Sequence, residues 1–295
     1  VIMNCYNSEK YLKESIDSVY AQSYKAWEIV LWDNASIDGT EKIATSYDSR
    51  IKYFRAQVNT HLGPARNKAL EQATAKYIAF LDSDDVYLPC ALQRQVELME
   101  SDDYGLVYGG VIYINEKGDI KGRNRLRYRS GYNFENLLRR YDISMCSVMV
   151  RKSMIDKEGL KFDENMDYCP DYNLFMKIAA TQTLGIINEP IVKYRRSSDS
   201  HSRKTLNLVS KEQGQTLNDL NRLYPHEVMY SGDAMAVAQA RLNFYDAVYH
   251  ISAGDYRTAR STLKPVIGSR WEYMVIYLVL FLPMPKTWLL RMLNR

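Results

Sequence analysis

Four short apolar runs, separated by helix-length segments, constrain this chain more than any other feature. They are Val1–Met3, Glu28–Trp32, Ile51–Phe54 and Tyr77–Leu81. After the first, Tyr11, Leu12, Ile16, Val19 and Tyr20 recur at helical spacing, with Ser8 placed as an N-cap. Asp38-Gly39-Thr40 opens a second helical stretch towards Tyr47, and His61-Leu62-Gly63-Pro64 turns into a third. Strands alternating with helices at this spacing predict a mostly parallel sheet with helices on both faces, an α/β fold.

Ligands of such sheets bind outside the carboxyl ends of the strands. Three of these ends are polar: Asn4 to Asn7, Asp33-Asn34, and Asp82-Ser83-Asp84-Asp85. One rim is therefore polar and acidic, which suits a metal-bridged anionic ligand. Two carboxylates one residue apart after a buried strand can grip a hard divalent cation that also bridges diphosphate oxygens. The competing reading makes Asp84 or Asp85 an N-cap for a helix opening near Leu88-Pro89. Asp33 favours the cation, because concentrated negative charge is costly without one.

Composition bounds the rest. The chain has 295 residues, 46% hydrophobic and 25% charged, which excludes disorder as the main state. Thirty-nine basic against thirty-five acidic side chains leave +4, too little for a nucleic-acid binder. Cys5, Cys90, Cys146 and Cys169 show no zinc spacing and read as reduced thiols in a cytosolic compartment. The chain starts inside a strand at Val1, so a few preceding residues are expected to be missing and no signal peptide is expected.

Further along, Gly105–Ile114 and Ser144–Val150 read as strands, a helix is predicted from about Tyr172 to Ala180, and Ile186–Arg195 is extended. Arg123, Arg125, Arg127 and Arg129 would share one face of an extended segment. From about Leu206 the pattern is helical. Ala247, Gly254-Asp255-Tyr256 and Ala259 look like one tetratricopeptide-type hairpin, and one copy makes no solenoid.

Several ordered blocks together resemble the family 2 glycosyltransferases of the GT-A fold. They are Val1-Ile2-Met3-Asn4-Cys5-Tyr6-Asn7; Ile16-Asp17-Ser18-Val19 with Gln22-Ser23-Tyr24; Glu28-Ile29-Val30 with Asp33 to Ser36 and Asp38-Gly39-Thr40; Gly63-x-Ala65-Arg66-Asn67; and Tyr77 to Asp85. The resemblance is dense over the first ninety residues or so and returns near Asp171 and Tyr194-Arg195. It implies an inverting, metal-dependent transferase using a nucleotide-activated sugar, expected to be UDP-linked, with Mn²⁺ or Mg²⁺ as cofactor. Carried over by position, Cys5, Tyr6 and Asn7 line the nucleoside and Asp33 hydrogen-bonds the uracil ring. Arg66 lies near the base or phosphates, or else makes a helix-surface ion pair. Asp82 and Ser83 face the ribose or sugar, and Asp84, with Asp82, the metal.

Asp171 matches the family's general base, although Pro170 stands where relatives carry Glu. An N-cap role for Asp171 is the plain alternative, and Asp167 and Glu164 are substitutes if the alignment slips. Where many relatives place a His after Tyr194-Arg195, this chain has Ser197, which leaves Arg196, His201 and Arg203 as loop candidates and His201 equally readable as solvated. The expected organisation is a nucleotide-sugar half over 1–110, an acceptor-side half over 111–204 and a helical region over 205–295. Rival readings are a sugar nucleotidyltransferase, disfavoured because Asn4 to Ser8 lacks Gly, and a catalytically inactive glycan-binding or scaffold relative.

The apolar run Tyr273–Leu282 is stopped by Pro283 and Pro285, short of the ~20 residues a membrane span needs. Trp271, Tyr273, Tyr277 and Trp288 with Arg270, Lys286, Arg291 and Arg295 give it the edges of an interfacial segment. A buried core helix is the alternative. The interfacial reading expects a peripheral enzyme at the cytoplasmic face of a bacterial inner membrane, acting on a glycan or lipid-linked acceptor through a contact at 271–295.

Overall fold

A computed structural model describes residues 1–197 and 208–282. The chain divides into two compact units, Val1–Phe134 with Asp142–Ser200, and Glu135–Tyr141 with His201–Arg295. The short excursion 135–141 joins the second unit, a long-range association that no local pattern announces.

In the first unit, β1 (Ile2–Cys5), β2 (Ile29–Asp33) and β3 (Ile51–Arg55) form a parallel sheet in that order. The helices α1 (Leu12–Tyr20), α2 (Thr40–Ala44) and α3 (Leu62–Gln72) connect its strands to one another and to β4 (Tyr77–Ala79). Helix α1 buries Leu12, Ile16 and Val19, the apolar stripe its spacing predicts. Its N-cap is Tyr11 and not Ser8. Ser8 acts through its carbonyl, which accepts from Leu12 N at 3.0 Å.

A parallel bridge between Ile2 and Phe80 links this sheet to a mixed one. The second sheet runs β4, β8 (Val148–Arg151), β6 (Leu106–Ile114), β9 (Leu184–Arg195), β5 (Val86–Tyr87), with β7 (Ile120–Arg123) paired to β6. In chain order these strands alternate with α4 (Ala91–Ser101), α6 (Lys152–Glu158) and α7 (Pro170–Thr181), and with α5 (Phe134–Arg139), most of which belongs to the second unit. Met3, Leu31, Ala79, Leu81, Val107 and Met149 share one core, so both sheets are built on the same buried apolar layer. Gly109 lets β9 close on β6, since a Cβ there would lie 2.6 Å from Ile191. Arg123, Arg125, Arg127 and Arg129 are all exposed while Asn124, Leu126 and Tyr128 between them are half-buried, the alternation expected of one solvated face.

The second unit is helical: α8 (Val209–Leu223), α9 (Pro225–Tyr230), α10 (Gly232–Ala253), α11 (Tyr256–Leu263) and α12 (Trp271–Val279). The expected hairpin is present. Gly254 ends α10 with φ 83°, left-handed backbone suited to Gly, and the Asp255 side chain caps α11 by accepting from Thr258 N. Ala247, Ile251, Ala259, Leu263, Tyr273 and Ile276 form its core. The apolar run at 273–282 thus belongs partly to the core, through Tyr273, Ile276 and Leu280. Its other face, with Trp271 and Leu278 exposed at 70% and 57%, is open.

Candidate functional site

The strand ends β1 and β2 lie side by side, with Cys5 registered against Asp33. Both following loops pass through left-handed backbone at non-glycine residues, Asn7 (φ 50°) and Ala35 (φ 66°). Such conformations persist where surroundings over-determine them, and here they do. Asn7 N donates to Ser36 Oγ at 2.9 Å, Ile37 N donates to Asn7 Oδ1 at 2.9 Å, and Ser8 N donates to Thr40 Oγ1 at 2.8 Å. The Ser8 and Ser83 hydroxyls, 2.8 Å apart, tie in the acidic loop. Three loops from distant parts of the chain become one surface.

Asp33 is buried at its base. Ser36 N donates to Oδ1 at 2.8 Å and the Tyr53 hydroxyl to Oδ2 at 2.7 Å. Each carboxylate oxygen keeps a second lone pair. Burial, followed by the hydrogen bond and charge of Asp33, pushes the Tyr53 hydroxyl well above its ordinary range, so it stays a donor. Cys5 is buried, its carbonyl accepts from Asn34 N, and burial with the Asp33 charge raises its thiol, so it is an inert wall. Tyr6, by contrast, is 52% exposed.

The acidic loop leaves Leu81 and is pinned by Arg195 at the end of β9. Arg195 N donates to Asp85 Oδ1 at 2.7 Å and Nε to the Asp84 carbonyl at 2.9 Å. Its Nη2 pairs with Glu14 at 2.6 Å, and its guanidinium lies over the Tyr11 ring at 4.3 Å. Asp85 is therefore a structural tie. Burial, then the neighbouring Asp84 and Asp82 charges, pushes its carboxyl well up. Asp82 and Asp84 remain on the rim. Desolvation and then Asp82 push Asp84 up to about 6, against the lowering pull of Arg195. Asp82 is raised too, by desolvation first, with Arg66 opposing and Asp171 reinforcing it. Its side chain is still 37% exposed, so the crowding of acids matters alongside burial.

Arg66 occupies the centre. Its Nη2 lies 3.6 Å from Asp82 Oδ1 and its Nη1 3.5 Å from Asp171 Oδ1. The guanidinium lies 5.6 Å from the Phe162 ring centroid, and its buried Nε has no hydrogen-bond acceptor among the described residues. The helix-surface ion pair is excluded, because Arg66 is buried. The Gly63-x-Ala65-Arg66-Asn67 block explains how α3 reaches Asp171. A Cβ on Gly63 would meet the Asp163 carbonyl oxygen at 2.1 Å, so only Gly permits this approach. Asn67 donates to the Phe162 carbonyl at 3.0 Å and accepts from Phe162 N at 2.9 Å. Leu62 N donates to Asp167 Oδ1 at 3.1 Å.

Asp171 is not the N-cap of α7. Cys169 holds that position, and Pro170 occupies the first turn, where its missing N–H costs nothing. Asp167 and Glu164 are engaged with α3, Asp167 by Leu62 and Glu164 by Asn67 Nδ2 at 3.3 Å. Arg196 stacks its guanidinium 3.7 Å from the Tyr113 ring centroid. His201 and Arg203 lie outside the described residues. Sequence reasoning missed Tyr53 and the clamping role of Arg195, which act by long-range contacts; Arg195 stood in the Tyr194-Arg195 block but carried no sign of its clamp. Among the described residues no group of three or more His, Cys, Asp or Glu could hold a metal. Asp82 and Asp84 give two hard oxygen donors, which suits a cation that keeps waters and takes its remaining ligands from substrate phosphates.

Residues 1–159 match the model of the Glycosyl transferase family 2. An uncharacterized glycosyltransferase of Methanocaldococcus jannaschii is 36% identical over 203 residues, covering 66% of this chain and 69% of its own. The UDP-Glc:alpha-D-GlcNAc-diphosphoundecaprenol beta-1,3-glucosyltransferase WfgD of Escherichia coli is 32% identical over 205 residues, covering 68% and 78%. Among solved structures, S. aureus TarS 1-349 in complex with UDP-GlcNAc superposes with TM-score 0.61 at 17% identity, covering 88% of this chain and 89% of that one. That likeness carries the fold.

Proposed function

The chain belongs to glycosyl transferase family 2 and is a nucleotide-sugar glycosyltransferase; we propose that it moves a sugar from a UDP-linked donor to a hydroxyl of a glycan or lipid-linked acceptor, by direct displacement with inversion. The observation that carries this reading is Arg66, a buried cation set between Asp82 and Asp171 at the strand-end rim. It supplies a positive centre with an unused Nε donor where an anionic donor would lie. The E. coli relative's name and the S. aureus complex both specify UDP-linked donors.

In this reading Tyr6 and Asn7 line the nucleoside over the Cys5 wall. Asp33, oriented by Ser36 and Tyr53, accepts from the uracil N–H with its remaining lone pairs. Asp82 and Ser83 face the ribose or sugar. Asp84, with Asp82, would hold Mg²⁺ or Mn²⁺. When bound, the cation offsets the charge that develops on the departing diphosphate. Arg66 orients the phosphates and keeps Asp171 in place. Asp171 takes the proton of the acceptor hydroxyl as that oxygen attacks the anomeric carbon.

The open face of α12 supports a peripheral membrane contact at 271–295; the cytoplasmic face of an inner membrane is the location we propose for it. Trp271, Met274, Leu278 and Phe281 follow helical spacing and are all exposed. No helix among the described residues is long and apolar enough to cross a membrane. Incubating the chain with a panel of nucleotide sugars and Mn²⁺ tests the donor reading. UDP-sugars should be consumed, by slow hydrolysis without acceptor; a chain that consumes none, or only other nucleotide sugars, contradicts it.

A further inference from the structure

The helical unit contains a cavity of about 420 Å³ that the transfer reaction does not use. Four of its lining side chains are arginines, Arg139, Arg140, Arg241 and Arg270, against one acid, Glu272. Arg139 is held by Glu135 at 2.8 Å. Arg241 is anchored at the end of α5, where Nη1 donates to the Leu138 and Arg139 carbonyls at 3.1 and 3.2 Å. Neither Arg241 nor Arg270 pairs with a carboxylate among the described residues. Both guanidiniums bear on the Tyr273 hydroxyl, and their charges oppose the rise that burial gives it.

The remaining walls have a different chemistry. Phe244 and Tyr273 stack at 4.8 Å with planes 13° apart, giving a flat aromatic surface. Gln213 also lines the cavity, and its buried Oε1 receives no hydrogen bond among the described residues, so a small side-chain turn would offer that acceptor to a ligand hydroxyl. Concentrated arginines are the preferred partners of phosphate oxygens. An anion alone would leave the aromatic wall and the amide unused.

We infer that this cavity is a second ligand site that binds a phosphorylated sugar or polyol, its phosphoryl group on Arg241 and Arg270 and a hydroxyl on Gln213. The site is independent of the donor-site reading, since every lining residue belongs to the helical unit. Such a ligand comes either free or as the headgroup of a lipid.

The test is calorimetric titration of the whole chain with glucose 1-phosphate, inorganic phosphate and glucose, in EDTA so that no metal-bridged site contributes. Glucose 1-phosphate should bind, inorganic phosphate more weakly and glucose not at all. Arg270→Gln should weaken glucose 1-phosphate by about tenfold, the scale of one lost charge-assisted hydrogen bond. Glu272→Gln should tighten it, a gain that misfolding cannot produce, and Asp84→Ala should leave it unchanged. Displacement of bound glucose 1-phosphate by phosphatidylcholine vesicles containing phosphatidylinositol would identify a lipid source; no displacement would identify a free one, and either supports the site. Absence of binding, equal affinity in the wild type and both cavity variants, or loss of binding in Asp84→Ala would overturn it.

Discussion

Arg66 Nη1 stands 3.5 Å from Asp171 Oδ1, although the two residues are 105 positions apart. The contact exists because α3 docks, through Gly63 and Asn67, on the segment that leads into α7. If Asp171 is the general base we propose, it should be replaceable without loss of donor binding. Asp171→Asn should leave the UDP affinity nearly unchanged and cut turnover at least ~100-fold. Steady-state kinetics beside UDP titration separates the two effects. Normal turnover here, with loss on changing Asp167 or Glu164, would move the base elsewhere.

The docking itself is testable. Gly63→Ala places a Cβ 2.1 Å from the Asp163 carbonyl oxygen, so backbone must move. The expected cost is about 1–3 kcal/mol in stability, as for other overpacked sites, with turnover falling further than the melting temperature alone explains. Asn67→Ala, which removes three hydrogen bonds without crowding, should shift turnover in the same direction.

The acidic loop predicts a pH signature of the metal-free protein. Asp84 rises from 3.8 to about 6 on folding, so the folded chain holds a proton that the unfolded chain releases. Its contribution to stability is full below the unfolded value and is lost as pH rises through about 6. Acidification from about pH 7 to about pH 5 should therefore stabilise the EDTA-treated wild type relative to Asp84→Asn. Denaturant unfolding at the two pH values measures it; parallel behaviour of the two proteins would refute the account of Asp84.

Deleting 271–295 is a poor test of membrane contact, because Tyr273 and Ile276 are core. Leu278→Glu with Trp271→Glu changes only the open face. The pair should abolish sedimentation with anionic vesicles while leaving the melting temperature within a few degrees of wild type.

The parallel strands and their acidic rim were legible because period, length and polar strand ends are local signals. So was the Gly254-Asp255 turn, where one left-handed residue and one cap sit together. Tertiary contacts were not legible. Nothing near Arg195 foretells that it clamps Asp84 and Asp85, or that residues 135–141 join the helical unit. The N-cap readings at Ser8 and Asp171 failed for a related reason: a capping residue type marks a helix start only to within a turn, and tertiary packing chose Tyr11 and Cys169. The run at 273–282 was both of its alternatives, core on one face and open on the other.

The central claim is that the rim binds a metal-bridged nucleotide diphosphate through Asp84. Calorimetric titration of UDP into the wild type and Asp84→Ala, each with Mn²⁺ and with EDTA, tests it most directly. The account predicts binding for the wild type with Mn²⁺ and at least ~100-fold weaker binding in the other three arms, the scale on which a lost cation acts. Equal affinity with Mn²⁺ and EDTA, or in Asp84→Ala and the wild type, would contradict it.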